Sequence, residues 1–377
     1  MKYCKVCLTT NLRPNASFDA NSVCIACNYS GDAIEPSLSK LSRLQRRITE
    51  TQRRLKRKGP YDCIVGVSGG KDSTRQAQWV RDRLGMRPLL VCCAYPPYQM
   101  TETGAENLSN LMNLGFELLI STPAPRSAAK LSLASLRQHG NVCKASEMAL
   151  FATVPRVAID VGVNLIFWGE NPALQVGDSS VMGIDEFDGN QLRRLNTLTG
   201  GNDWLKGEVT SPYLADHYMY PEEYLFDRKK ISIFYLGAAW DDWSNFDNAT
   251  YAALSGLTLR PNDEHITGDI SNASMIDEEF TNINMMIKYF KFGFGRATDL
   301  VCELIRMGRL TRDEAIPIVR EFDGVCDDSI IENYCQYVGI SHRDFWAIIN
   351  EHVNSDLFWI QEGGRPMPKF TVGVDFP

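Results

Sequence analysis

No stretch of this chain approaches the roughly 18 consecutive apolar residues that a membrane-spanning helix needs. The opening "MKYCKVC" has no apolar h-region, which predicts no secretory signal and a cytoplasmic location. Histidine is scarce: there are five in 377 residues, no two of them at metal-ligand spacing. Positive charge is short as well. The net charge of −7 and pI of about 5.4 argue against broad, charge-driven nucleic-acid binding. Internal repeats and low-complexity tracts are absent. What remains, 44% apolar and 23% charged, reads as a soluble globular protein. At roughly 100 to 200 residues per domain, two or three domains are expected.

Eleven cysteines, an odd number, do not form a disulfide framework in a reducing compartment. Four of them make a pattern. Cys4-x2-Cys7, sixteen residues, then Cys24-x2-Cys27 has the spacing of a tetrahedral zinc site. The surrounding segment, 1–32, has too little apolar material to fold on a core of its own, so a metal would supply its stability. Structural Zn2+ is the expectation; an iron–sulfur cluster and unligated thiols are the alternatives. A closed four-sulfur site leaves no position for a substrate, which makes the segment a structural or docking module.

Residues 33–59 change character. Leu41, Leu44, Ile48 and Leu55 lie on one helical stripe. Lys40 to Lys58 holds nine Lys or Arg against one Glu, a net of +8. This reads as a basic linker helix, either with a solvated face or docked on an acidic partner or phosphate-bearing ligand. From 60 to 275, apolar runs alternate with helical patterns. "YDCIVGV", "RPLLVCCAY", "FELLIST", "VNLIFWG" and "ISIFYLGAA" are too continuous for half-exposed strands. They predict a parallel α/β sheet covered on both faces. Pro155 marks a boundary or kink in the helix before the fourth run. A stretch rich in Gly, Asn and Asp, near 173–230, reads as an insertion or lid. Residues 276–377 form a helical C-terminal region, with capping-box spacing at "TRDE" (311–314) and "SHRD" (341–344).

The first strand run ends in "SGGKDS", residues 68–73. It is not a Walker A loop, because Asp72 stands where the hydroxyl should be and no glycine lies five before Gly70. It is not the dinucleotide G-x-G-x-x-G either. Its residues still make an anion site. Gly69 and Gly70 let the backbone approach a ligand. Amides at the start of the next helix point outward, reinforced by its dipole. Ser68 and Ser73 add hydroxyls and Lys71 a positive charge. Asp72 repels a bare phosphate and so suits Mg2+ or a capping role. A tight, capped strand-to-helix turn is the bland alternative.

"SGGKDS" after a strand resembles the PP-loop of the ATP pyrophosphatases. "YCKVC…FD…VCIAC", "WGENP" (168–172), "KFGFGRATD" (291–299) and "IRMGRLTRDEAI" (305–316) are similar to the N-acetyl sugar amidotransferases of bacterial surface-polysaccharide synthesis. The resemblance implies an adenine nucleotide α-hydrolase-like (PP-loop) domain. It implies that ATP adenylates the acetamido oxygen of a nucleotide-activated N-acetyl sugar, for lipopolysaccharide O-antigen or a related glycan. AMP and pyrophosphate are released, and ammonia completes an acetamidino group. No cysteine sits in a G-x-C-x-G elbow, and Lys2 follows Met1, so a built-in glutaminase is not expected. The family implies a separate glutaminase and ammonia-channelling subunits.

Under this resemblance Lys71 and Asp72 are catalytic candidates, with Ser68, Gly69, Gly70 and Ser73 around the phosphates. Gly169, Glu170 and Asn171 lie at a strand's carboxyl edge, where open α/β sheets bind ligands. Glu170 suits a magnesium ion or the substrate, and Asn171 a phosphate or amide; a plain Asn-Pro turn is the alternative. Lys291 and Arg296 are candidates to neutralise pyrophosphate or the sugar nucleotide. Asp241 and Asp242 suit either metal ligation or a helix cap. Thr103, Gly104 and Asn107 are candidates for adenosine recognition. Cys143 is either a sulfur carrier or a buried thiol. The enzyme rival is a tRNA thiolase, which also pairs a PP-loop with metal-binding cysteines. A non-enzymatic scaffold built on the cysteine module is the third reading.

Overall fold

The five continuous apolar runs become five parallel strands of one six-stranded sheet. A computed structural model describes the chain except for residues 15, 32–36, 56–58, 170–186, 189–202, 209–216, 241, 262 and 362–363. In chain order the strands are β1 (Cys63–Gly66), β2 (Pro88–Cys93), β3 (Glu117–Ser121), β4 (Leu165–Trp168), β5 (Phe187–Asp188) and β6 (Ser232–Tyr235). Their spatial order is β3-β2-β1-β4-β6-β5, and only β5 runs antiparallel, against β6. Ile64 of β1 sits between Leu89 of β2 and Ile166 of β4. The first crossover leaves β1 for β2 on one side, and β4 lies on the other. The loop after β1 is therefore at the point where strand order reverses, where open α/β sheets form a crevice.

Side chains alternate between the two faces, as the pleat requires. Cys63, Val65, Leu90 and Phe167 face one core, which also holds Leu44 and Ile48 of α2 (Ser37–Leu55), Ala77 and Val80 of α3 (Lys71–Asp82), and Leu108 and Leu111 of α4 (Glu102–Asn113). Ile64, Leu89, Ile166 and Ile233 face the other core, with Leu131 of α5 (Pro125–His139) and Met148, Ala149 and Ala158 of α6 (Lys144–Val161). The expected two-sided cover holds for β1, β2, β4 and β6, whose residues are nearly all buried. It does not hold for β3, an edge strand that exposes Ile120 and Leu119. The helix containing Pro155 runs through it unbroken. No helix of the described residues is long and apolar enough to cross a membrane.

The C-terminal region is helical as expected, with helices over Phe280–Phe292, Arg296–Arg306, Arg312–Phe322, Asp328–Val338 and His342–His352. Both capping boxes form, at Thr311–Glu314 and Ser341–Asp344. The cysteine segment does not stand apart. Tyr3, Cys4, Cys7, Leu8, Cys24 and Cys27 are buried in the same core as Phe280, Ile283, Ile331 and Phe345. The Met1 amine donates to the Phe376 carbonyl at 2.5 Å, Tyr3 N–H to Asp375 Oδ1 at 2.8 Å, and Arg312 Nε–H to the Cys7 carbonyl at 3.3 Å. A segment too polar for its own core thus borrows one from the far end of the chain.

The basic helix α2 spends its apolar stripe on the sheet, with Leu44 wholly buried. Leu44→Ala should cost about 2–5 kcal/mol in urea unfolding. A change below about 0.5 kcal/mol, the size of an ordinary surface substitution, would mean that α2 is not part of the folded unit.

Candidate functional site

The loop after β1 is built to leave donors uncommitted. Gly69 has φ +87°, in the left-handed region, and a Cβ there would meet Leu108 N at 3.2 Å. Gly70 N–H is taken by Ser68 Oγ at 3.3 Å. Ser73 and Thr74 hydroxyls donate back to the Gly70 carbonyl at 3.1 and 2.9 Å, and Thr74 N–H closes the first helical bond on it. The amides of Lys71, Asp72 and Ser73 have no partner among the described residues. Three parallel N–H groups at the positive end of a helix constitute an anion site. Lys71 is only 6% exposed, with its ammonium 3.3 Å from Asp72 Oδ2.

Asp72 is held from outside the loop. Asn248 Nδ2–H donates to Asp72 Oδ1 at 2.5 Å. Asn248 is fully buried and in turn accepts from Arg75 Nη1 at 2.7 Å. Arg75 grips both carboxylate oxygens of Asp242 at 2.8 Å and lies over the rings of Trp240, Trp243 and Tyr251. Asp242 is thus tied to Arg75 and so to this network; Asp241 lies outside the described residues. Gly169 lies against the loop: a Cβ on it would be 3.3 Å from the Asp72 carbonyl.

A cavity of about 320 Å³ opens above the loop. Its walls are the loop itself, the ends of β1, β2 and β4 (Val67, Cys93, Trp168, Gly169), the α6 residues Leu150, Phe151 and Val154, and the segment Ala273–Asp277. It is apolar at one end and rich in donors at the other, which matches a nucleotide in kind. Gln76 lines it too. Its Nε2–H donates to the Gly66 carbonyl at 3.1 Å, which leaves a buried Oε1 with no partner among the described residues. Asp277 closes the far side, and burial raises its carboxyl above the usual range.

A second cavity, about 290 Å³, meets the first at Lys71, Asp72 and Met275. One of its walls comes from the cysteine module (Thr9, Arg13, Ala16, Ser17, Cys24) and another from the helix Arg296–Arg306. Arg13 Nη1 and Lys288 Nζ both reach Asp299 at 2.5 Å. Burial would raise that carboxyl, but these two cations carry it well below its usual range.

The four cysteines are brought together. Their sulfurs lie within 4.8 Å of one another and all are buried. Cys7 Sγ and Cys24 Sγ are 3.7 Å apart. A tetrahedral ion with metal–sulfur bonds of about 2.3 Å sets sulfur–sulfur edges of about 3.8 Å. The cluster therefore fits one ion; a four-iron cube, with one thiolate on each corner, would spread the sulfurs further. N–H groups of Val6 and Cys24 donate to Cys4 Sγ at 3.4 and 3.2 Å, and Thr9 N–H to Cys7 Sγ at 3.4 Å, which suits anionic sulfur. A fifth thiol, Cys302, takes the Leu8 N–H at 3.3 Å.

Other expected residues go elsewhere. Arg296 lines the second cavity beside Lys71 and Asp72. Lys291 does not reach either cavity: its ammonium donates to the carbonyls of His139 and Gly140 at 2.7 and 3.4 Å, closing the C-terminus of α5. Asn107 holds the backbone of Thr258, and Gly104 packs on Asp277, so both shape the fold near the site without facing a ligand. Cys143 is buried at the start of α6, and burial pushes its thiol well above the ordinary range. Glu170 and Asn171 lie outside the described residues. Arg13, Asn248 and Asp277 had no sequence signal, because what marks them is contact across the chain; Gln76 was not singled out, and Arg306 lay inside the quoted 305–316 motif without being singled out.

Residues 270–370 match the family model described as "LPS biosynthesis protein WbpG-like, C-terminal domain". No match is found among curated proteins. Among solved structures, the chain is similar to the NH3-dependent NAD synthetase from Campylobacter jejuni subsp. jejuni NCTC 11168 in complex with the nitrate ion, at 13% identity, over 60% of this chain and 99% of that one, with a TM-score of 0.28. It is also similar to the U34-tRNA thiolase NcsA from Methanococcus maripaludis with its 4Fe–4S cluster, at 13% identity, over 51% of this chain and 63% of that one, with a TM-score of 0.24. Neither likeness says what this chain acts on.

Two measurements check this geometry. Purified chain should carry one metal ion, and Cys24→Ser should lose it and open the terminal segment to protease; full metal retention would remove Cys24 from the ligand set. Glu278, beside Asp277, is buried and accepts from Gln99, Phe280 N–H and Thr281 N–H. Burial still raises its carboxyl from 4.5 to about 7. A raised acid pKa contributes stability that is full below pH 4.5 and lost as pH rises through about 7. The urea midpoint of Glu278→Gln should thus fall less steeply over that window than that of the parent; parallel slopes would refute the assignment.

Proposed function

We propose that this chain is an ATP-dependent amidotransferase of lipopolysaccharide O-antigen or related surface-glycan synthesis. Its substrate is a nucleotide-activated N-acetyl sugar, and its product carries an acetamidino group. The observation that carries this reading is the trio of unpaired amides at Lys71, Asp72 and Ser73, placed where two cavities meet. The family match over 270–370 supports the lipopolysaccharide context.

An amide oxygen is a poor leaving group, so it must be activated first. The acetamido oxygen attacks the α-phosphorus of ATP, and the bond to the β-phosphate bridge breaks. Pyrophosphate departs with the electron pair, leaving an imidoyl adenylate. Ammonia adds to the imidoyl carbon, the carbon–oxygen bond breaks, and AMP leaves as the amidine forms. In this scheme Ser68, Gly69, Gly70 and Ser73 cradle the β- and γ-phosphates, and Lys71 offsets the growing charge on pyrophosphate. Asp72, with its carboxylate fixed by Asn248, is a fitting oxygen ligand for Mg2+. Bound there, Mg2+ would neutralise phosphate oxygens. The apolar wall of Phe151, Val154 and Trp168 excludes water, which would regenerate the amide and waste ATP. Glu170 and Asn171, directly after Gly169, are assigned to the acetamido group or the metal. Zn2+ is assigned to Cys4, Cys7, Cys24 and Cys27 as a structural ion. Ammonia is assigned to a separate glutaminase and ammonia-channelling subunits.

A tRNA thiolase would need a reachable sulfur-carrying cysteine. Cys143 is buried, and so is Cys93 on the cavity wall, which weighs against that rival.

The decisive assay combines chain, ATP, magnesium and ammonium with a panel of UDP-N-acetyl sugars. AMP and pyrophosphate should form in equal amounts, with one sugar oxygen replaced by NH. Lys71→Ala should lower kcat/KM by at least about 100-fold, the scale of losing one preorganised charge contact. Formation of ADP and orthophosphate, or turnover only with tRNA, would sink the proposal.

A further inference from the structure

We propose that the second cavity, walled by the cysteine module, binds the diphosphate of the second substrate, with Arg306 and Arg296 as its anion contacts. Two observations lead there. The first is placement. A transfer between two bound substrates needs them to abut at one point. The two cavities are similar in size and meet at Lys71, Asp72 and Met275. The cavity of 320 Å³ holds the loop and the carboxyl ends of three strands, and so takes ATP. The cavity of 290 Å³ touches the loop only at Lys71 and Asp72, and its other walls come from the cysteine module, from Asn245, Ser274 and Met275, and from the helix Arg296–Arg306.

The second observation is charge. The acids of this cavity are already engaged: Asp299 by Arg13 and Lys288, Glu303 by the N–H and Nδ2–H of Asn245 at 2.9 and 3.0 Å, and Asp72 by Lys71 and Asn248. Two guanidinium groups are left over. Among the described residues, Arg296 Nη2–H donates only to neutral oxygens, on Asn245 and Ser274, and its buried Nε–H has no partner. Arg306 makes neither ion pair nor hydrogen bond among the described residues. Both lie in the field of a cavity carboxylate, Arg306 of Glu303 and Arg296 of Asp299, but neither makes a direct ion pair among the described residues, and forked donors left so on one cavity suit phosphate oxygens. A competing task for Arg306 is to offset the negative charge of the nearby thiolates, since Cys302 and Cys7 are its electrostatic neighbours. That task predicts loss of metal, not loss of a ligand. The cysteine module is then more than a fastening: through Thr9, Arg13, Ala16 and Ser17 it is one side of a substrate compartment.

That there is a second substrate with a diphosphate, and that it is an N-acetyl sugar nucleotide, rests on the proposed function; the anion contacts at Arg306 and Arg296 are read from the geometry alone. The test is calorimetry on the metal-loaded full chain, saturated with α,β-methylene-ATP and titrated with UDP or UDP-N-acetylglucosamine. Arg306→Gln and Ala16→Trp, which removes a charge and fills space respectively, should each weaken UDP by at least about tenfold. Both should leave metal content unchanged and the affinity for α,β-methylene-ATP within about twofold. If UDP binds and the N-acetyl sugar nucleotides do not, the compartment stands and the sugar reading fails. Equal weakening of α,β-methylene-ATP would place ATP's own tail in this cavity and overturn the assignment. So would unchanged UDP affinity in both variants, or no UDP binding by the parent.

Discussion

Three backbone amides without partners, at the start of the helix after β1, are the constraint around which the rest is arranged. The first amides of a helix lack an intrahelical acceptor, and these three residues line a cavity, so their acceptor comes from outside the fold. The surroundings hold that arrangement open. Ser68, Ser73 and Thr74 turn their hydroxyls to Gly70, so no side chain of the loop caps the free amides. Gly69 takes a backbone conformation that a larger residue would adopt only under strain. Asn248 fixes Asp72, the acidic member of the loop, from a helix far away in sequence.

The second theme is that distant parts of the chain converge on this point. The sheet delivers the loop, the segment Ala273–Asp277 closes one cavity, and the cysteine module with the helix Arg296–Arg306 closes the other. The module contributes Arg13, whose bond to Asp299 joins residues 286 positions apart. Whatever orders the module therefore also orders one wall of a cavity beside the glycine loop. In such an arrangement, the cysteine cluster and the cavity are coupled through shared residues rather than through a long-range signal.

How much of this could be read in advance follows from range. The strands were legible because parallel, two-sided burial demands continuous apolar runs, and each of the five appeared as one. The loop was legible because its chemistry is local: glycine, lysine, aspartate and hydroxyls within six residues. The four cysteines were legible by spacing. Asn248 was not, since its bond to Asp72 spans 176 positions and an asparagine in a helix carries no mark of it. Helix α5 had no expectation, because Ala and Ser among Leu131, Ala134 and Leu136 blur the apolar stripe. Lys291 misled for an instructive reason. It shares a motif with Arg296, but Gly293, at φ +73°, turns the chain between them, so the lysine caps a helix and the arginine enters a cavity.

The union of the two chain ends has a consequence for biosynthesis. The sulfurs at residues 4–27 gain their protein cover from Cys302, Arg312 and the final residues. At the usual 5–20 residues per second, the ribosome makes these partners roughly 14–70 s after Cys27, Cys302 first and Asp375 last. For that interval the four thiols stand in solvent on a nascent chain. Their occupancy is then decided by whichever ion or oxidant reaches them first, before the walls of either cavity exist.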